Sequence, residues 1–139
     1  MRNLKAITIA VALALGFSTP LAAQEAEEGP EPGTIVFSQW ICPPQNLGTL
    51  NAAVDTILGP VLDELQSEGK LMGWGVLTHS WGDEWNWNVY YLVESHAAFL
   101  EMWSAYISRV IERHPGALQQ ITPLCTEHRD NIYSVYVAH

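Results

Sequence analysis

The chain has 139 residues, of which 15 are acidic and 6 basic, giving a formal net charge of −9 with 48% hydrophobic content. A length of this order suits one domain. So acidic a surface repels phosphate, which argues against nucleic acid and anionic membrane as partners.

At the N-terminus Arg2 and Lys5 precede an apolar stretch over residues 6–17, followed by Ser18-Thr19-Pro20 and the small pair Ala22-Ala23. This is the order of a secretory signal. The stretch is too short for a bilayer-spanning helix, which needs about 20 residues, so residues 1–23 are expected to be cleaved, leaving a secreted or periplasmic chain with no membrane segment. The mature chain keeps only four basic residues, Lys70, Arg109, Arg113 and Arg129, against all fifteen acids. Residues 24–33 hold four glutamates, two prolines and no large apolar side chain, the composition of a disordered leader.

From residue 34 the pattern turns β-rich, Thr-Ile-Val-Phe-Ser-Gln-Trp-Ile-Cys, and ends at Pro43-Pro44, which predicts a strand over 34–42. Leu47, Leu50, Val54, Ile57, Leu58, Val61, Leu62 and Leu65 then recur at helical period. That helix should be kinked or split at Gly59-Pro60. Strands over 71–80 and 85–93, rich in Trp, Tyr and Val, flank Trp81-Gly82-Asp83-Glu84 as a hairpin. Ser95 caps a second helix with an expected buried stripe of Phe99, Leu100, Trp103, Ile107, Val110 and Ile111, ending near His114-Pro115-Gly116. A connection over 118–130 leads to a last strand over 131–138.

The order βαββαβ is that of a ferredoxin-like α+β fold with a four-stranded antiparallel sheet. In its usual topology the first strand lies between the third and fourth, antiparallel to both. Cys42 closes the first strand and Cys125 shortly precedes the fourth, so this pairing brings them together, and an oxidising compartment favours a disulfide. Two buried free thiols are the alternative.

Residues 34–139 resemble the dimeric α+β barrel superfamily, which includes antibiotic-biosynthesis monooxygenases, EthD-like proteins and stress-responsive barrel proteins. Element order, length and the helix kink at Gly59-Pro60 carry the resemblance. No motif of a single member family is matched. The resemblance implies a homodimer in which two open sheets face each other and enclose a cavity for small hydrophobic or aromatic molecules. Fold alone does not decide whether such a chain is an enzyme.

The residues themselves also require both sheet faces to be covered. In the first strand Val36 and Trp40 fall on one face and Phe37 and Ile41 on the other, whereas a sheet wet on one side alternates apolar and polar. If Ser80 pairs with Trp85, then Trp74, Val76, Trp87, Val89, Tyr91 and Val93 pack under the helices. The other face carries Gly73, Gly75, Leu77, His79, Asn86, Asn88 and Tyr90. Glycines that remove bulk beside Asn, His and Tyr make Gly75, His79, Asn86, Asn88 and Tyr90 the candidate ligand site. A wet dimer interface would suit the same residues.

Topology also gathers His79, Asp83, Glu84, His114, His128, Arg129 and Asp130 at one end of the sheet. No His-x-x-x-His or Cys-x-x-Cys spacing accompanies them, so no metal is expected; a solvated cluster with Arg129 paired to a carboxylate is the default. Gly-rich phosphate loops and Gly-x-Ser-x-Gly elbows are absent from the sequence, and no cofactor is expected. Three readings remain. The chain is a binding or accessory protein for a small apolar or aromatic ligand; or a cofactor-independent monooxygenase- or isomerase-like enzyme with His79 as proton acceptor and Asn86, Asn88 and Tyr90 orienting substrate; or a structural dimer without a ligand.

Overall fold

The computed structural model describes residues 33–79, 81–82 and 84–136. The expected signal, the leader up to residue 32, and the hairpin residues Ser80 and Asp83 lie outside the described residues.

The central strand β1 (Thr34–Ile41) pairs antiparallel with β3 (Trp87–Val93) on one side and β4 (Glu127–Ser134) on the other, while β2 (Gly73–Thr78) pairs with β3, giving the order β2-β3-β1-β4. The expected ferredoxin-like arrangement is present. Thr34, Val36 and Ser38 are buried on the helix side of β1. Trp74 sits opposite Tyr91 and Val76 opposite Val89, and the His79 amide donates to the Asn86 carbonyl at 3.1 Å, so the hairpin has the register read from sequence.

The first helical stretch is continuous. It runs as α1 (Leu47–Ala53), a π-turn (Val54–Leu58) and α2 (Gly59–Ser67). Pro60 has no N–H to continue an α-helical ladder, and the wider turn absorbs that loss: the Gly59 amide donates to the Val54 carbonyl five residues back. A side chain at residue 59 would place its Cβ 2.7 Å from the Val54 oxygen and 3.0 Å from the Trp74 ring. Glycine therefore lets Trp74 close against the helix.

In α3 (His96–Arg113) the Ser95 hydroxyl accepts from the Ala98 amide at 3.2 Å, as an N-cap should. The buried stripe is Phe99, Met102, Tyr106 and Val110, flanked by partly buried Trp103 and Ile107. Leu100 and Ile111, expected inside, are 57% and 53% exposed. They sit roughly 100° around the helix from the stripe's centre, and Met102 and Tyr106 hold the inward positions.

The connection after α3 contains a short helix, α4 (Ala117–Ile121), and a single tight turn over Thr122–Leu124. Strand β4 begins four residues earlier than expected. Glu127, His128, Arg129, Asp130 and Asn131 are polar, and the strand is an exposed edge, so pairing with β1 defines it where its own residues do not. Bidentate contacts from Arg109 to Glu68 and from Arg113 to Glu64 fasten α3 to α2. Among the described residues no helix is long and apolar enough to cross a membrane.

Candidate functional site: a cavity between sheet and helices

The expected disulfide is formed. Cys42 at the end of β1 bonds Cys125 after α4, with an S–S distance of 2.03 Å and Cα atoms 4.1 Å apart. It fastens the α4 segment to the sheet, and that segment is one wall of a cavity of about 290 Å³. The sheet contributes Ser38, Trp40, Trp74, Val76, Trp87, Val89, Tyr91 and His128 as its floor. Leu50, Val54, Leu58 and Leu62 line it from the first helical stretch, Trp103, Tyr106 and Ile107 from α3, and Leu118, Ile121 and Thr122 from the α4 side. The volume is at the lower end for small-molecule sites, and the predominantly apolar wall with a few polar groups is typical of them.

Hydrogen bonds fix the floor's indoles. Trp74 donates to Asp63 Oδ1 at 3.0 Å, Trp87 to Asn51 Oδ1 at 3.1 Å and Trp40 to Ser38 Oγ at 3.1 Å. His128 stacks on Trp40 with centroids 4.1 Å apart, and its Nε2 lies 3.2 Å from Asp130 Oδ2. Two buried phenols remain. Burial pushes the Tyr91 hydroxyl well above the usual phenol range, helped by the nearby Tyr106 and Asp130, and burial alone raises Tyr106. Both stay protonated across physiological pH and are available as donors.

The residues expected to bind ligand do not line this cavity. Gly75 lies under the Tyr90 ring on the open face, where a Cβ would come within 2.6 Å of Tyr90 Cε1. Asn86 is engaged by the backbone of Cys42: its Oδ1 accepts from the Cys42 amide at 2.8 Å and its Nδ2 donates to the Cys42 carbonyl at 2.7 Å. Asn88 donates from Nδ2 to the Trp85 carbonyl at 3.0 Å, while its buried Oδ1 has no partner among the described residues. His79 stands at the end of the β2 pairing, beside Gly82. Tyr90 instead joins Phe37 and Tyr133 in an aromatic row, with centroid separations of 6.3 and 6.1 Å from Phe37.

The ionisable cluster is also only partly assembled. Asp130 pairs with His128, and Arg129 donates to Gln39 Oε1 at 2.9 Å and lies 4.0 Å from the Trp85 ring centroid, a cation–π contact; among the described residues no carboxylate pairs with Arg129. Among the described residues no group of three His, Cys, Asp or Glu side chains could hold a metal ion.

Nothing in the sequence marked Tyr91, Trp103, Tyr106 and Ser38 as lining a cavity. Strand alternation places Tyr91 and helical period places Trp103 in the layer between sheet and helices, while Tyr106 was outside the expected stripe; whether facing side chains meet or leave a space depends on how far α3 and the π-turn stand off the sheet.

No family model and no curated protein matches the chain. Solved structures do. A dimeric ferredoxin-like protein from an uncultured marine organism superposes with a TM-score of 0.63 at 9% identity, covering 79% of this chain and 92% of that one. The haem degrader MhuD of Mycobacterium tuberculosis, with two haems bound in its active site, gives 0.57 at 17% identity over 76% and 98%. A candidate antibiotic-biosynthesis monooxygenase from Nitrosomonas europaea gives 0.54 at 10% identity over 75% and 99%. At such identities the likeness establishes the fold alone: this chain has the ferredoxin-like α+β fold.

Proposed function

We propose that the chain is an exported homodimeric protein that binds a small apolar or aromatic molecule in the cavity between its sheet and helices. The observation that carries this reading is the cavity itself, about 290 Å³ and walled by Trp, Tyr, Leu, Val and Ile side chains. Export is supported by the signal-like residues 1–23 and by the disulfide, which oxidising compartments favour. A second subunit would cover the aromatic row of the open face. Titration with the neutral fluorescent probe N-phenyl-naphthylamine should give saturable enhancement at one probe per subunit, reduced by Ile107→Trp, which fills the cavity. Unsaturable partitioning, or no enhancement, would sink the proposal.

Haem, which the structural neighbour MhuD holds, does not suit this cavity. Among the described residues its one imidazole, His128, lies stacked on Trp40 with Nε2 beside Asp130, and no described Lys or Arg lines the space to receive two propionates.

A second reading, a cofactor-independent monooxygenase- or isomerase-like enzyme, draws on the monooxygenase-type neighbours. In that reading His79, Asn88 and Tyr90 act from the open face, inside the space enclosed by two sheets. It requires that His79→Ala abolish turnover of a substrate while leaving the unfolding temperature unchanged.

A further inference from the structure

The cavity wall has only a few polar groups, and they differ in what they can still do. The indole N–H groups of Trp74 and Trp87 already donate to Asp63 and Asn51. The phenol hydroxyls of Tyr91 and Tyr106 make no hydrogen bond to any described residue, although each residue is only 4% exposed. Neither hydroxyl is sealed off in the core, where Asn88 Oδ1 is the buried atom that lacks a partner among the described residues; both tyrosines line the cavity, so a hydroxyl with no protein partner can donate to a molecule that enters it. The two tyrosines stand on opposite walls, one on β3 and one on α3, with Trp103 between them at centroid separations of 5.9 and 5.4 Å. Ser38, on the same sheet face as Tyr91, accepts from Trp40 and keeps its own hydroxyl hydrogen to donate.

Charge narrows the ligand further. Among the described residues no Lys or Arg lines the cavity, Asp130, the acid that acts on Tyr91, already sits beside His128, and the whole chain is strongly negative. A carboxylate entering this space would lose its hydration without gaining a cation, which is costly in an apolar surrounding.

We infer that the ligand of this cavity is an uncharged apolar or aromatic molecule bearing one hydrogen-bond acceptor, such as a carbonyl oxygen, that takes hydrogen bonds from Tyr91 and Tyr106. This rests on the binding function proposed above and specifies the chemical class it serves. The two phenols are specificity-determining residues: the apolar wall selects for shape, and the hydroxyls select for a neutral polar end.

Three matched probes separate the possibilities: the bicyclic ketone tetralone, its parent hydrocarbon tetralin, and tetralin carboxylate, each titrated against the full exported protein by calorimetry at neutral pH. The ketone is expected to bind up to about tenfold more tightly than the hydrocarbon, the size of effect one or two net hydrogen bonds give, and the carboxylate more weakly than either. The double substitution Tyr91→Phe with Tyr106→Phe should bring the ketone down to the hydrocarbon's affinity and leave the hydrocarbon's unchanged. Equal affinities for ketone and hydrocarbon, tightest binding of the carboxylate, or a ketone preference that survives both substitutions would overturn the inference while leaving the binding function standing. Failure of all three probes to bind would overturn both. Should the double variant not fold, the ratios measured on the unaltered protein decide alone.

Discussion

Asn86 illustrates how a residue can be well chosen by its chemistry and misplaced by its surroundings. Its amide fits a ligand-orienting role on paper, yet both ends of that amide bond the backbone of Cys42, 44 residues away in sequence, and nothing local to either residue signals the pairing. Replacing it with alanine would leave a Cys42 N–H and C=O without partners in a part-buried position. Asn86→Ala is therefore expected to lower folding stability by about 1–3 kcal/mol and to leave affinity for cavity probes nearly unchanged. Denaturant unfolding of the oxidised protein, run beside a probe titration, checks both halves; a variant as stable as the parent would contradict this role. Cys42 itself was legible, because its place at a strand end follows from topology and needs no side-chain geometry.

Elements with strong internal period were the readable ones. The hairpin register and the Ser95 cap follow from side-chain alternation and capping chemistry, whereas the split expected at Gly59-Pro60 is replaced by a π-turn over Val54–Leu58 that keeps the helical stretch continuous. Strand β4 was shifted because its first five residues are polar and its pairing with β1 supplies what its own sequence lacks. Two predictions belong at this scale. The Cys42–Cys125 bond closes a loop of 83 residues, so Cys42→Ser with Cys125→Ser should cost up to about 4.5 kcal/mol. It should also loosen the α4 wall, weakening probe binding as well as lowering the unfolding temperature. Between α2 and α3, Arg109 and then Lys70 hold the Glu68 carboxyl down at about 2, against an ordinary 4.5, and Arg113 lowers Glu64. A depressed carboxylate contributes stability that is present above its unfolded value and is lost as pH falls through its folded one. Unfolding temperature should thus decline between about pH 4.5 and pH 2, and Glu68→Gln should flatten part of that decline. Both groups are at the surface, where salt weakens such pairs, so added salt should blunt the effect. A variant whose acid limb matches the parent's would assign it to other groups.

At the scale of the whole molecule, the residues told which side chains share a face but not which face holds the space. Large apolar residues on both sides of β1 required cover on both sides, and the helices supply one. The cavity lies beneath them. The open face shows Phe37, Tyr90 and Tyr133 in an aromatic row, with Tyr133 51% and Leu77 45% exposed, the kind of apolar patch that usually marks an interface. The proposed homodimer joined through its sheets accounts for it. Gly75 separates the proposed interface from the cavity experimentally, because a Cβ there meets the Tyr90 ring and neither Gly75 nor Tyr90 lines the cavity. Gly75→Trp is expected to push Tyr90 out of the row and weaken the dimer at least tenfold in sedimentation equilibrium, while cavity probes bind each subunit as before. Loss of probe binding with the dimer intact would place the ligand on the open face instead, where Gly75, Asn88 and Tyr90 lie, and a parent protein that stays monomeric at micromolar concentration would remove the sheet-to-sheet dimer altogether.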